Sequence, residues 1–176
     1  MKKAILFFGM LASCSIFGQF KLTPDNYRSV ENPDKDYIVF EVPNMTQKQL
    51  FEKTKMYITS KYNNLKGDGY NEVEPQQMVL NVTGSKSATI ILSLGNNIWR
   101  ADNRYEINFK DGKIMVKPYL YSFYNVMDYD GSRGAKNLFN KKGEARKQKA
   151  IDLAESEVNE FYNALIKGIS KPNEDW

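Results

Sequence analysis

The sequence predicts an α+β domain built on a single antiparallel-rich sheet with two helices on one of its faces, in the order strand, helix, four strands, helix. Three observations carry this expectation. Asp111-Gly112 sits between two alternating apolar runs, the mark of a tight hairpin. One stretch after Thr46 and another before Pro172 repeat apolar residues at helical spacing. The remaining apolar runs are short, rich in β-branched and aromatic residues, and bounded by Gly, Pro and Asn.

Taken in order, Lys2 and Lys3 followed by the apolar run Ala4 to Ala12 have the form of a secretory leader, too short to cross a bilayer as a helix. Residues 1–19 are therefore expected to be a signal peptide, cleaved near Gly18 or Gln19 because Ser15 to Gly18 keeps the segment apolar. The alternative is a lipobox at Leu11-Ala12-Ser13-Cys14, which would make Cys14 an acylated N-terminus and the protein an outer-membrane lipoprotein. Otherwise the expected location is periplasmic or extracellular. Residues 20–36 contain Pro, Asn and Asp without a sustained period and read as a lead-in segment rather than a packed element. The single domain is placed at 37–170, with 171–176 as a tail.

Tyr37 to Val42 reads as a strand, closed by Pro43-Asn44. The helix after it has two start signals: a capping box of Thr46 with Gln49, and Met45 positioned to staple onto Leu50. Leu50, Phe51, Thr54, Tyr57, Ile58 and Tyr62 form its buried face. Asn63 to Gln77 reads as a loop. Met78 to Thr83 and Ser87 to Leu94 are expected to form a hairpin around Gly84-Ser85. Arg104 to Lys110 and Lys113 to Tyr121 form a second, around a type I′ turn at Asp111-Gly112. Pairing Lys110 with Lys113 sets Phe109 opposite Ile114 and Ile107 opposite Val116 on one core face. Asn125 to Gly143 is irregular, with a flexible point at Gly131 to Gly134. The last helix runs from about Glu144 to Ile169, with Ile151, Ala154, Val158, Phe161, Tyr162, Leu165 and Ile169 as its stripe.

Several local strings resemble a known family. Phe20-Lys21-Leu22-Thr23-Pro24, Asp36-Tyr37-Ile38-Val39 before a capped helix, Phe109-Lys110-Asp111-Gly112-Lys113 and the closing amphipathic helix are similar to exported bacterial domains of unknown function with a TBP-like fold. The likeness runs from about Asp36 to Ile169. It implies the same element order and an exported location, and no activity that could be transferred to particular residues. It implies no DNA binding either, since function belongs to sites and not to folds.

Composition narrows the function classes. With 41% hydrophobic and 26% charged residues the chain suits one globular domain. Its formal charge of +4 falls to +2 once Lys2 and Lys3 are removed, too little to argue for nucleic acid. There is no histidine, and the lone cysteine is Cys14. The domain thus lacks the residues for a Ser/His/Asp triad, a Cys/His pair or the usual zinc sites. No cofactor and no metal site are expected.

Two binding candidates remain. The first is the uncovered sheet face, expected to carry Tyr37, Val39, Val79, Asn81, Thr89, Ile91, Asn108, Met115, Lys117, Tyr119, Tyr121 and Phe123. Within it Lys117, Tyr119, Tyr121 and Phe123 make a cationic and aromatic strip suited to stacking on a sugar or other flat ligand. A 125–140 loop folded back over the strip would leave it closed. The second is the basic group Lys136, Lys141, Lys142, Arg146, Lys147 and Lys149 at the start of the last helix, with Lys141, Lys142 and Arg146 as its centre. An anion could sit there, and the competing reading is a solvated charged face.

Weaker features are a calcium-loop-like Asp128-Tyr129-Asp130-Gly131, more consistent with a turn, and Trp99-Arg100 in a Gly95 to Asn103 connection, where a Trp more often plugs a core. The carboxylate pairs Asp34 with Asp36 and Glu72 with Glu74 lie in loops. The expected function is a non-enzymatic module binding an envelope ligand or protein. The alternatives are a carboxylate-based glycan hydrolase and a structural assembly component.

Overall fold

The computed structural model describes residues 19–62, 69–84, 88–92, 95–125 and 128–170, with 88–92, 95–97 and 128–133 as backbone alone. The strands are β1 (Phe20–Thr23), β2 (Asn26–Ser29), β3 (Ile38–Glu41), β4 (Tyr70–Val73), β5 (Gln77–Thr83), β6 (Ala88–Leu92), β7 (Gly95–Lys110), β8 (Lys113–Asn125) and β9 (Asp128–Arg133). The helices are α1 (Gln47–Lys61), between β3 and β4, and α2 (Gln148–Ser170), which follows a 3-10 turn at Ala135–Leu138. There are two sheets rather than one: β1 and β2 pair with each other, and seven strands form the main sheet, five in the order β3-β8-β7-β5-β4, with β6 paired to β7 and β9 to β8. All the pairings are antiparallel.

The spine of the main sheet is the long hairpin of β7 and β8. Lys110 pairs with Lys113, Phe109 with Ile114 and Ile107 with Val116, as the two-residue loop requires. The turn is not type I′, which needs positive φ at both central residues. Gly112 has φ 69°, and Asp111 is not among the positive-φ residues. Further along, the register shifts: Ser122 faces Asp102 and Leu120 faces Asn103, leaving Tyr121 unpaired. One extra residue in a strand reverses which side chains face the core. Ile114, Val116 and Leu120 are buried before the bulge, and Phe123 after it.

The flanks of the spine are shared. Along β7, β5 covers Asp102 to Asn108 and β6 covers Gly95 to Trp99. β5 and β6 therefore do not form the expected hairpin around Gly84-Ser85; both pair with β7, end to end. The Gly95 to Asn103 connection is likewise strand, and Trp99 is buried in it, stacked on Phe123 at 5.1 Å between centroids. The 63–77 loop contains β4, and the irregular 125–143 segment contains β9 and the 3-10 turn, with Leu138 and Phe139 buried. On the outer flank of β8, β3 covers Lys113 to Val116 and β9 pairs at Phe123 and Asn125.

Both helices pack on the same face of the main sheet. Thr46 caps α1 with both hydrogen bonds of the capping box, and Leu50, Phe51, Thr54 and Ile58 are buried. In α2 all seven stripe residues are buried. The helix begins at Gln148, not Glu144, because Asn140 to Glu144 is held in a turn by the Asn140 side chain, whose Oδ1 accepts from the backbone of Lys142 and Glu144. Where the helices meet, Gly168 lies against the Tyr57 ring, and a Cβ there would collide with it.

Residues 20–29 overturn the lead-in reading. Phe20, Leu22 and Tyr27 are completely buried, in a hairpin packed beside α2. The free edge of β1 is satisfied by two α2 side chains. Asn159 both accepts from Phe20 N (2.7 Å) and donates to Phe20 O (3.0 Å), and Glu155 accepts from Leu22 N (2.9 Å). Two strand residues advance about 6.7 Å and four helical residues about 6 Å, so an i, i+4 pair on the helix matches an i, i+2 pair on the strand. Asn26, at φ 107°, does a strand's work on the other side. Its amide donates to Leu120 O (3.2 Å) and accepts from Leu120 N (2.8 Å), on the stretch of β8 between β3 and β9. The Tyr27 hydroxyl reaches Asn103 Oδ1 (2.8 Å) and Ala154 O (3.1 Å), tying the hairpin to the bulge region and to α2.

The edge strand β4 is tied to α1 by charge. Glu72 accepts from Lys55 Nζ at 2.6 Å and from the Tyr70 hydroxyl. The lysine bond, then the tyrosine bond, hold the Glu72 carboxyl below its ordinary range, and the same ion pair raises Lys55. A lowered carboxyl stabilises fully above the unfolded value of about 4.3, and that contribution is lost as pH falls through the folded value. The raised Lys55 contributes fully below about 10.4 and loses its contribution as pH rises through its own folded value. Because the pair is partly exposed, Glu72→Gln is expected to cost about 0.5–1 kcal/mol at neutral pH, with the deficit closing toward pH 3. Urea unfolding of both proteins at the two pH values measures this; a deficit independent of pH would contradict it.

Candidate functional site

The face of the main sheet away from the helices has no covering layer among the described residues. Register places its side chains in rows across the strands: Gln77, Asn108 and Met115; Val79, Glu106 and Lys117; Asn81, Arg104 and Tyr119; Thr83, Asp102 and Ser122. Directly opposed residues on one face stand about 5 Å apart at Cβ, so Arg104 is the immediate neighbour of Tyr119. Tyr119 is 49% exposed and the bulged Tyr121 68%. Of the seven large hydrophobic side chains exposed among the described residues, Val39, Val73, Ile98, Tyr119 and Tyr121 belong to this face by strand parity or, for Tyr121, by the bulge beside it.

The polar groups around the tyrosines are specific. Ser122 Oγ donates to Asp102 Oδ2 at 3.1 Å, and Gln77, Glu106 and Asn108 form a hydrogen-bonded trio at 2.9–3.1 Å. Burial pushes the Asp102 carboxyl above its ordinary range, against hydrogen bonds from Ser122 and Thr83 and the charge of Arg100. Lys117 is paired with Asp36 at 2.9 Å, which brings residue 36 to the margin of the face.

Of the expected strip, the structure brings Lys117, Tyr119 and Tyr121 together on this face and removes Phe123. The bulge turns Phe123 into the core, where it is completely buried. The 3-10 turn and β9 pack at the far end of β8 and leave Tyr119 and Tyr121 exposed. Of the wider face, Thr89 and Ile91 lie outside the described side chains.

The basic group lies on the segment that leads into α2. Lys141, Lys142 and Arg146 are all exposed, but they precede α2 instead of forming its first turn. Glu144 accepts from the Asn140 amide (2.7 Å), and Arg146 N donates to Leu138 O (2.8 Å), so the segment is organised by its own turn. Lys147 lies 4.8 Å above the Trp99 ring. Residues 128–131 run as strand β9, not as a calcium loop or a turn. Among the described residues no group of three or more His, Cys, Asp and Glu could hold a metal ion, and no helix is long and apolar enough to cross a membrane.

The carboxylates suggested by sequence do not converge. Glu72 is engaged by Lys55 and Tyr70, and Asp36 by Lys117. Two others share a pocket that sequence reasoning passed over. It has a volume of about 380 Å³ and opens between the end of α1, the end of β5 and the middle of α2, with Glu157 and Glu160 among its lining. Their only sequence signal is position: they flank Val158 and Phe161 at the margin of the buried stripe of α2.

No protein-family model and no curated protein matches the chain. Two solved structures are similar. One is a DUF4468 family protein from Bacteroides ovatus, 12% identical, with a TM-score of 0.53 over 80% of this chain and 88% of that one. The other is a TBP-like protein from Parabacteroides distasonis, 9% identical, with a TM-score of 0.56 over 78% of this chain and 92% of that one. At such identity the likeness establishes a TBP-like α+β fold, the fold the sequence implied, and nothing of activity.

Proposed function

We propose that this chain is an exported, non-enzymatic binding module that takes a carbohydrate ligand on the open face of its sheet. The observation that carries the reading is the exposed aromatic pair Tyr119 and Tyr121 on β8, beside Arg104 and Asn81, on a face with no covering layer among the described residues. Two neighbouring exposed rings rimmed by polar groups suit an interaction surface better than singly scattered hydrophobics do. Tyrosine rings offer an apolar face to the C–H groups of a sugar, and arginine and asparagine supply donors for its hydroxyls. Export is supported by the leader-like Lys2 to Ala12, with the acylated Cys14 as the alternative processing route.

The glycan-hydrolase reading fits less well. A glycosidase needs two carboxyl groups flanking the scissile bond. Glu157 and Glu160 project from one helix into one side of the pocket, so neither stands across the other.

The test is a glycan array probed with the wild type and with the Tyr119→Ala/Tyr121→Ala double variant. The wild type is expected to bind a subset of glycans, and the variant to bind them at least about tenfold more weakly with unchanged thermal stability, since both side chains lie on the surface. A wild type that binds no glycan, or a variant that binds as well as the wild type, would sink the reading.

A further inference from the structure

The hairpin of β1 and β2 buries one face, and on the other its register opposes two cations, Lys21 and Arg28. Side chains paired on one face stand about 5 Å apart at Cβ, and like charges so placed weaken a sheet. A face built only for solvation would gain from a polar residue or an opposite charge at either position. Neither cation is in an ion pair among the described residues. Lys21 feels the Glu155 charge, but that carboxylate accepts from Leu22 N. The Arg28 guanidinium donates to the Asp34 backbone carbonyl at 3.4 Å, which leaves most of its donors open.

Both cations line a cavity of about 720 Å³. That volume lies in the range of small-molecule sites. Val30, 53% exposed, and Pro33 give the cavity an apolar wall. Asp25, in the turn between β1 and β2, and Asp34, beyond β2, bring two carboxylates to the same space. Among the described residues neither carboxylate enters a hydrogen bond or an ion pair. The lining thus holds two cations side by side on the strands, two carboxylates on the connecting segments, and no pairing between the two signs.

We propose that this cavity binds a small zwitterion, a molecule with a carboxylate and a protonated amine on a short apolar body, as in a free amino acid. Its carboxylate sits between Lys21 and Arg28 and relieves their repulsion, with the guanidinium fork taking both oxygens. Its ammonium faces Asp25 and Asp34, and its body lies on Val30 and Pro33. A simple anion would suit the cations but meet two carboxylates, and a simple cation the reverse, so the lining selects against both. The site is independent of the open sheet face and stands whether or not that face binds glycans.

The experiment is calorimetric titration of the full chain with leucine, with 4-methylpentanoate, which lacks the amine, and with 3-methylbutylamine, which lacks the carboxylate. The titrations are run at low ionic strength and about pH 7, where every charge involved is present. Leucine is expected to bind at one site, at least about tenfold more tightly than either single-charge analogue. Lys21→Ala and Arg28→Ala are each expected to weaken leucine binding about tenfold. Both side chains lie outside the core, and an unchanged thermal midpoint separates lost binding from lost folding. No saturation by leucine up to about 10 mM, equal binding of either analogue, or wild-type affinity in both variants would overturn the proposal.

Discussion

Tyr27→Ala is expected to lower the unfolding free energy by about 3–5 kcal/mol, the range for truncating a large aromatic core residue. The residue is completely buried, and its hydroxyl joins β2 to Asn103 on β7 and to the Ala154 carbonyl on α2. Tyr27→Phe keeps the ring and deletes the hydroxyl, leaving the buried Asn103 Oδ1 without its donor. It should cost about 1–3 kcal/mol. Arg28, half-buried on the same strand, has a single side-chain hydrogen bond among the described residues, to the Asp34 carbonyl at 3.4 Å, and Arg28→Ala should fall within about 0.5 kcal/mol of wild type. Urea unfolding of the three variants decides the matter. Tyr27→Ala within about 1 kcal/mol of wild type would mean that residues 20–29 are peripheral to the core after all.

The second large effect belongs to the bulge in β8. Phe123→Ala is expected to cost about 3–5 kcal/mol, and Tyr121→Ala, two residues earlier on the same strand, about 0.5 kcal/mol or less. Simple alternation would put both rings on one face and give them similar costs. The unpaired Tyr121 sends Phe123 inward to stack on Trp99, while Tyr121 itself stays at the surface. Thermal unfolding of the two variants separates these arrangements. Similar losses for both would mean that the strand runs without the bulge and that the aromatic strip includes Phe123.

The bulge also explains why the candidate site was only partly legible in the sequence. Lys117 and Tyr119 lie on the side of the bulge where alternation still holds, and their placement could be read from parity. Phe123 lies beyond it. Nothing in the Tyr119 to Asn125 string marks the extra residue, because a bulge is set by what the strand pairs with and what it must bury. Glu157 and Glu160 were likewise hidden: at the margin of a helix stripe they look like solvent-facing charges until the structure shows the pocket they line.

The lead-in reading of residues 20–36 failed for a related reason. β1 and β2 are four residues each, too short to show a convincing period, and the backbone N–H groups of β1 donate to the side chains of Asn159 and Glu155, more than 130 residues away. Asn26 is a turn residue by composition, and only its partner, the Leu120 backbone, makes it part of the sheet.

The sequence by itself determined what depends on neighbours along the chain. That covers the capping box at Thr46 and Gln49, the apolar stripes of both helices, and the register of the β7–β8 hairpin, because their hydrogen bonds and side-chain spacings close within a few residues. Only the tertiary structure decided that β5 and β6 share one edge of β7, that Phe123 is core while Tyr121 is surface, and that residues 20–29 belong to the fold. Each of these rests on contacts between distant segments, where several pairings satisfy the same local pattern. The pairing that buries the apolar side chains while giving every buried backbone group a partner is chosen by the whole chain at once.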